Sequence, residues 1–301
     1  MALVSFLPIN AVVKDVVFID DDTLVTGSRD FATMVWDITD SPEILQTLQR
    51  RGLVVALGKS ADGLIVIVEL GSEGGASGGV NVVTWDRANQ ESVNRVSSGY
   101  VFDGEYSPEK GILALQTWSD SIIIVDAQRM RATSTCVKCV SPALSPDGSL
   151  LAAYKFMESR MVILDATSQE EIAVFEEASS PLSFSPDGKL LLSRSATGLS
   201  LWDVETTELV RTFDGDDGRM EYAAISPDGS TLASASLSGN LMLRDLASGE
   251  IRFVVEGFFP IGQAVFQNQY FASKNCVRVG SSMSVLDLAS GAVGCYNREA
   301  I

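Results

Sequence analysis

Two of the four cysteines have a spacing that is used in thiol redox motifs and in zinc sites. Cys136 and Cys139 form a Cys-x-x-Cys motif in a short connection between two apolar segments. The sequence pattern places no helix N-terminus beside them that would activate a thiol, and Cys276 and Cys295 are far away in the chain. We therefore interpret the cysteines as structural thiols, with redox or metal function as the alternative.

Clusters of aspartate and glycine suggest further binding chemistry, but each lacks a required residue. Residues 20–22 are three aspartates, and residues 214–218 read Asp-Gly-Asp-Asp-Gly, which resembles part of a calcium loop. The twelfth position of that loop is Ile225 rather than a bidentate glutamate, so both clusters are interpreted as solvated turns. The glycine-rich residues 71–79 contain no lysine for a phosphate and are interpreted as a flexible insertion.

Composition excludes several classes of function. The chain has no histidine, which rules out Ser-His-Asp and Cys-His nucleophilic pairs and histidine-ligated metal sites. Its formal net charge of −17 argues against direct binding of nucleic acid, which needs clustered lysine and arginine. No catalytic, metal-binding or cofactor-binding residue is predicted, and no cofactor is expected.

The same composition predicts a folded protein of a reducing compartment. Of the 301 residues, 46% are hydrophobic and 20% charged, which provides a sizeable core. Four cysteines are too few for a disulfide-stapled secreted scaffold. The apolar N-terminus lacks the basic region of a signal peptide, and Lys14-Asp15 ends it before a membrane span. We expect an intracellular protein, cytoplasmic or nuclear, with no membrane contact.

One repeated unit organises the chain. A short apolar strand, a Ser-Pro-Asp-Gly turn and a second apolar strand are followed by a strand that ends in aspartate, most clearly in residues 182–203 and 223–245, with a third copy from Leu144. The steps between successive terminal aspartates are 49, 40, 39, 38, 42 and 42 residues. These seven aspartates are Asp37, Asp86, Asp126, Asp165, Asp203, Asp245 and Asp287.

Each copy reads as four antiparallel strands. Proline presets φ in the Ser-Pro-Asp-Gly turn and glycine takes the positive φ, so the turn joins the first two strands. A small sheet with two apolar faces is unstable alone and must be covered by neighbouring sheets, which radial stacking achieves. The repeat therefore predicts an all-β fold, a seven-bladed β-propeller of four-stranded blades that forms one domain over residues 1–301.

The repeat resembles the tryptophan-aspartate (WD) repeat family over nearly the whole chain. The Trp-Asp dipeptide is intact in three copies and diverges in four; the pairs are Trp36-Asp37, Trp85-Asp86, Val125-Asp126, Leu164-Asp165, Trp202-Asp203, Arg244-Asp245 and Leu286-Asp287. The Gly-His dipeptide of the family is absent, so its Asp-His-Ser/Thr-Trp hydrogen-bond tetrad cannot form. Carboxylates such as Asp37 then need other donors, such as backbone N–H groups of the turn.

Two segments compete to close the ring. Residues 3–8 resemble an outer blade strand, and we expect this N-terminal segment to pair with the last blade as a clasp. The alternative outer strand, or a fifth strand or tail, is the segment from Ala292 to Tyr296. Deletion of residues 1–9 is expected to lower the melting temperature if the clasp forms.

The resemblance implies that one loop-rich end of the propeller docks partners. The sequence places large aromatic residues with nearby acids in these loops, and exposed tryptophan and tyrosine supply much of the binding energy of interfaces. The candidate partner-binding residues are Tyr100, Trp118, Asp120, Tyr154, Phe156, Glu158, Asp216, Asp217, Tyr222, Phe258 and Phe259.

These observations predict a non-catalytic scaffold or adaptor that binds other proteins or peptides and is monomeric when alone. The net charge of −17 favours a basic partner, although an acidic surface also serves solubility alone. Two alternatives stay open. One is a propeller that acts as a carboxylate-based hydrolase or binds a small molecule or metal, and the other is a permanent structural subunit of a larger complex.

Overall fold

The structure is a computed structural model, and it describes most of the chain up to residue 255 and a short stretch beyond it. The described residues are 13–19, 23–28, 31–37, 43–49, 52–60, 62–70, 79–86, 91–96, 99–129, 131–176, 178–214, 220–226, 228–236, 241–255, 286–287 and 292–293. Strands and turns account for the regular structure in these ranges, with no helix among them. Accordingly, nothing in the described part is a helix long and apolar enough to cross a membrane.

The first three sheets come from the N-terminal half of the chain. Each has four antiparallel strands that pair in chain order. Sheet 1 comprises β1 (Val13–Phe18), β2 (Thr23–Ser28), β3 (Ala32–Asp37) and β4 (Glu43–Gln49). Sheet 2 comprises β5 (Val54–Lys59), β6 (Ile65–Leu70), β7 (Val80–Trp85) and β8 (Glu91–Val96). Sheet 3 comprises β9 (Val101–Ser107), β10 (Ile112–Thr117), β11 (Ser121–Asp126) and β12 (Arg131–Val137).

Three more sheets and a strand pair follow with the same order. Sheet 4 comprises β13 (Cys139–Leu144), β14 (Leu150–Lys155), β15 (Arg160–Asp165) and β16 (Glu171–Phe175). Sheet 5 comprises β17 (Pro181–Phe184), β18 (Leu190–Arg194), β19 (Gly198–Asp203) and β20 (Leu209–Asp214). Sheet 6 comprises β21 (Met220–Ile225), β22 (Thr231–Ser236), β23 (Leu241–Asp245) and β24 (Ile251–Val255), and β25 (Leu286–Asp287) pairs with β26 (Ala292–Val293).

The Ser-Pro-Asp-Gly segments form the tight turns that the sequence predicts between the first and second strands. In sheet 4, the Ser145 hydroxyl donates to Asp147, and the Leu150 N–H donates to that hydroxyl over 2.9 Å. Gly148 has φ of +67°, and its N–H donates to the Ser145 carbonyl. Sheets 5 and 6 repeat these bonds, as expected for equivalent copies of one unit.

Neighbouring sheets stack face to face, as the repeat requires. The first strand of each sheet contacts the first strand of the next one, from β1 to β21. An apolar cluster fills each space between sheets; between sheets 2 and 3 it includes the fully buried Val68, Val82, Leu113 and Leu115. The prediction of an all-β fold built from antiparallel four-stranded sheets, consistent with a β-propeller, is confirmed. Seven blades, ring closure and one domain over residues 1–301 stay predictions.

The last described strand pair bears on the question of closure. Leu286 faces Val293, seven residues later in the chain. The third and outer strands of sheet 5 pair with the same spacing, since Trp202 faces Leu209, and sheets 4 and 6 do likewise. Residues 292–293 therefore take the outer-strand register, which was the alternative to the N-terminal clasp. Residues 1–9 lie outside the described part, so the clasp stays a prediction.

Close packing between sheets 2 and 3 leaves no room for a side chain at Gly58. A Cβ at this position would overlap the ring of Tyr106, which packs from the neighbouring sheet. We expect Gly58→Ala to lower the unfolding free energy by about 1–3 kcal/mol, because an overfilled core forces neighbouring side chains to shift. Urea denaturation measures the change. In a Tyr106→Ala background the same substitution should cost much less, and an equal cost in both backgrounds would show that this contact is not the cause.

Candidate functional site

The aspartates that end the third strands have a structural role. Asp165 accepts hydrogen bonds from the N–H groups of Thr167 and Ser168 over 2.9 and 2.7 Å, and Asp203 caps its turn in the same way. These bonds hold the pKa of Asp165 below its usual value, and the bond from Ser168 has the largest effect. Backbone donors of the turn thus satisfy the carboxylates of Asp165 and Asp203, whereas the expectation for Asp37 stays a prediction.

The tryptophans of the repeat are also structural. Trp36 and Trp202 are buried, and their indole N–H groups donate to the hydroxyls of Thr26 and Ser193 over 3.0 and 2.9 Å. Each hydroxyl lies on the second strand of the same sheet. Trp85 is buried as well, at 3% exposure. These side chains hold sheets together and do not face a ligand.

Trp118 behaves differently, because 73% of its surface is exposed. It stands in the turn after β10, and its ring packs at 5.0 Å between centroids on Phe102, which is itself 40% exposed. The Trp118 N–H donates to the carbonyl of Tyr100, whose side chain is also largely exposed. Three aromatic side chains therefore share one end of sheet 3.

The same end of sheet 4 adds further apolar surface. In sheet 3, the ends of β10 and β12 lie beside the start of β11. In sheet 4, the end of β14 lies beside the start of β13. Val137 and Met157 lie there, 67% and 72% exposed. The Lys138 ammonium sits 5.8 Å from the centroid of the Phe156 ring. We name as the loop-end patch the residues Tyr100, Phe102, Trp118, Val137, Phe156 and Met157.

A buried amide ties the two halves of the loop-end patch together. The Gln116 side chain lies just before Trp118 and is 3% exposed. Its oxygen accepts from the Ser141 N–H over 2.9 Å, and its nitrogen donates to the Cys139 carbonyl over 3.5 Å. The end of β10 is thereby fixed to the start of β13. The patch is built on strands of two sheets rather than on a long free loop.

Charged groups around the patch are mostly paired on the side of sheet 4. Glu158 binds Arg160 through two guanidinium nitrogens, and Lys155 lies between Glu158 and Glu171. Arg160 also reaches Glu171 over 3.1 Å. The hydrogen bond from Lys155 is the main reason why the pKa of Glu171 lies below its usual value. Asp120, beside Trp118, is exposed in a turn with φ of +54°.

The other predicted docking residues do not all reach the patch. Tyr154 is half-buried in β14 and packs against the core between sheets 4 and 5, which is a structural role. Tyr222 lies in β21 with its backbone opposite Ala235. Four predicted residues lie outside the described part of the chain: Asp216, Asp217, Phe258 and Phe259. For them, docking stays a prediction.

Three members of the patch and one half-buried acid were missed by sequence reasoning. Phe102 follows the buried Val101 in an alternating strand, and that alternation could have revealed its exposure. Val137 is the last residue of β12 and Met157 lies in the connection from β14 to β15, and at neither place does hydrophobicity alone indicate exposure. The acid is Glu105.

Two acidic side chains, each on the first strand of its sheet, accept a hydrogen bond from a backbone N–H of the neighbouring sheet. Glu105 in β9 accepts from the Leu144 N–H over 2.7 Å, and Asp15 in β1 accepts from the Leu57 N–H over 2.6 Å. Burial raises the pKa of Glu105 to about 8, and the negative charges of Asp103 and Asp15 add to the increase. Both carboxylates satisfy backbone donors at the inner edge of a sheet, which is a structural role.

The structure corrects the interpretation of Cys136 and Cys139 as thiols. Their sulfur atoms are joined in a disulfide, with the Cα atoms 5.6 Å apart. Among the described residues, no group of three histidine, cysteine, aspartate or glutamate side chains is arranged to hold a metal ion. The loop-end patch itself presents rings and alkyl groups, which suit binding by burial rather than bond-making chemistry.

Parts of this chain are similar in sequence to known proteins. Residues 207–245 match the family model "WD domain, G-beta repeat". The guanine nucleotide-binding protein subunit beta of Saccharomyces cerevisiae is 24% identical over 250 residues, covering 77% of this chain and 55% of the relative. The small ribosomal subunit protein RACK1 of Schizosaccharomyces pombe is 37% identical over 87 residues, covering 29% of this chain and 27% of its own length.

A third relative is similar over a shorter stretch. The meiotic recombination protein rec14 of Schizosaccharomyces pombe is 28% identical over 117 residues, which is 38% of each chain. The matched regions thus span between 27% and 55% of the length of these relatives.

Proposed function

We propose that this chain, in which residues 207–245 match a WD-repeat model, is a non-catalytic interaction scaffold that docks a protein partner on the loop-end patch. The exposed Trp118, whose ring packs against Phe102, carries this proposal. A large aromatic side chain in water stabilises nothing by itself, whereas its burial against a partner releases a substantial hydrophobic free energy. Tryptophan and tyrosine are also the residue types that dominate binding hot spots.

The placement of the patch supports the proposal. The Phe102 ring packs against Trp118 in a tilted arrangement, and Gln116 anchors the end of the strand that precedes Trp118, so little side-chain entropy is lost when a partner binds. Asp120 and Asp103 lie close to these rings in sequence, and Glu158 and Glu171 balance the cations of sheet 4. With a net charge of −17 on the chain, a partner segment that combines apolar and basic residues is favoured.

The names of two relatives suggest a second candidate. One is described as a subunit beta and the other as a small ribosomal subunit protein, so each belongs to a larger assembly. A permanent structural subunit would use the same patch without exchange. Partner exchange separates the two functions: isotopically labelled chain added to a purified complex replaces unlabelled chain within hours for an adaptor, and does not for a permanent subunit.

Paired variants test the docking surface. We expect Tyr100→Ala/Trp118→Ala to lower the amount of co-purified partner at least about tenfold, because two hot-spot side chains are lost. Quantitative mass spectrometry of tagged chain from its own cells measures the ratio. The control is Val210→Ala, an equally apolar and 52% exposed site on the outer strand β20.

Two results would contradict the proposal. One is undiminished binding by the double variant with an unchanged circular dichroism spectrum, which would move the docking site elsewhere on the chain. The other is a bound metal ion or small molecule with no protein partner, which would favour the enzyme or ligand-binding alternative. Repeating the capture at roughly five times physiological salt should weaken a basic partner selectively.

A further inference from the structure

The Cys136–Cys139 disulfide occupies a position that the docking function does not use. The two cysteines flank the connection from β12 to β13, which passes from sheet 3 to sheet 4. Lys138 alone separates β12 from β13, and it takes a left-handed conformation with φ of +61°. This turn brings the cysteine Cα atoms to 5.6 Å, within the range that disulfides span.

Burial and strand order distinguish the two sulfurs. Cys139 is fully buried, whereas Cys136 keeps 6% of its surface. Cys136 also lies in β12, the edge strand of its sheet, which pairs with β11 alone. Opening of an edge strand breaks one set of ladder bonds, so Cys136 is the sulfur that a small reagent meets first.

We propose that Cys136 and Cys139 form a reversible dithiol–disulfide site that exchanges with low-molecular-weight disulfides of the glutathione class. The chemistry is thiol–disulfide exchange. The Cys136 thiol loses a proton to solvent, and its thiolate attacks one sulfur of the small disulfide. The S–S bond of that reagent breaks, and one glutathione leaves as a thiolate and takes up a proton.

The second step closes the site. The Cys139 thiolate attacks the Cys136 sulfur of the mixed disulfide, forms the Cys136–Cys139 bond and releases the second glutathione. The protein loses two electrons and two protons, and one glutathione disulfide becomes two glutathione thiols. The oxidised state holds the connection between sheets 3 and 4 closed, immediately beside Val137 of the loop-end patch.

Trypsin provides a direct readout on the full chain. Cleavage after Lys138 falls between the two cysteines, giving peptides 132–138 and 139–155. The purified chain is equilibrated without air in glutathione buffers of fixed thiol concentration, quenched in acid, alkylated and digested. The disulfide keeps the two peptides linked, whereas the dithiol releases them separately with one alkyl group each.

We expect the ratio of linked to unlinked peptides to rise about tenfold for each tenfold rise in glutathione disulfide, as mass action requires for one intramolecular disulfide. Dithiothreitol should abolish the linked form. The variant Cys276→Ser/Cys295→Ser should behave like the natural chain, and Cys136→Ser should give no linked peptides. Cys136→Ala replaces the latter variant if serine prevents folding in this apolar setting.

Several outcomes would overturn the inference. The peptides could stay separate at every ratio, or they could stay linked at every ratio, which would make the bond purely structural. Cys136 could accumulate glutathione without forming the linked peptides. Linkage of either cysteine to Cys276 or Cys295 would show scrambling instead of a built site. None of these results bears on whether the patch docks a partner, so the two proposals fail independently.

Discussion

Replacing Trp36 by alanine is expected to lower the unfolding free energy by about 3–5 kcal/mol, the cost of emptying a large buried aromatic site. The ring is fully buried, and its indole N–H donates to Thr26, a buried residue that would lose this donor. Trp36→Phe keeps part of the packing and loses the hydrogen bond, so an intermediate cost is expected. Guanidinium denaturation followed by circular dichroism measures both.

The chain contains its own matched control for this prediction. Trp118→Ala makes the same chemical change at a side chain that is 73% exposed, and the unfolding free energy should shift by less than about 0.5 kcal/mol. Trp36→Ala should in turn affect partner binding only through the folded fraction. Similar destabilisation by both substitutions would contradict the division of the tryptophans into structural and docking groups.

The second large effect is a fall in stability as the pH rises, caused by Glu105. Burial raises the pKa of this carboxyl from 4.5 to about 8 in the folded chain. Between these two values the folded state keeps a proton that the unfolded state has released, so a higher pH favours unfolding. The stabilisation from this group is fully present below about pH 4.5 and is lost as the pH passes through about 8, with a total of roughly 2–5 kcal/mol.

Glu105→Gln should remove this dependence. The amide cannot ionise, and its oxygen can still accept from the Leu144 N–H. At pH 9 the variant should be more stable than the natural chain, and at pH 5 the two should be close. Urea midpoints from pH 5 to pH 9 measure the difference.

A second substitution separates ionisation from packing at the same position. Glu105→Ala leaves the Leu144 N–H without its acceptor and opens a cavity, so this variant should be less stable at every pH. A natural chain whose stability from pH 5 to pH 9 matches that of Glu105→Gln would show that the carboxyl titrates normally.

The repeat made the sheets predictable because each of its short motifs forms one kind of turn or strand end. The Ser-Pro-Asp-Gly turns at Asp147, Asp187 and Asp228 formed as expected, with glycine at positive φ. Asp165 and Asp203, at two of the repeat positions, accept hydrogen bonds from backbone N–H groups of their own turns. Such bonds join residues within five positions of one another, so the sequence alone contains both partners.

Contacts between sheets were less predictable, because their partners are about 40 residues apart. Glu105 reaches Leu144 and Asp15 reaches Leu57, and the sequence of neither strand indicates which N–H of the next sheet the acid will bind. The aromatic candidates show the same limit. Trp118 is exposed while Tyr154 packs into the core, and no feature of the local sequence distinguishes these two residues.

The outer strands offer another explanation for the acidic composition. β4 and β16 each begin with an exposed glutamate followed by an exposed isoleucine, and an exposed glutamate stands just before the first residue of β20 and of β24. Open sheet edges that carry such apolar residues would otherwise pair between molecules. Like charges at these four positions disfavour pairing between the same edges of two copies. These glutamates then help to protect the chain from its own copies, and acidification toward the carboxylate pKa range should bring aggregation before unfolding.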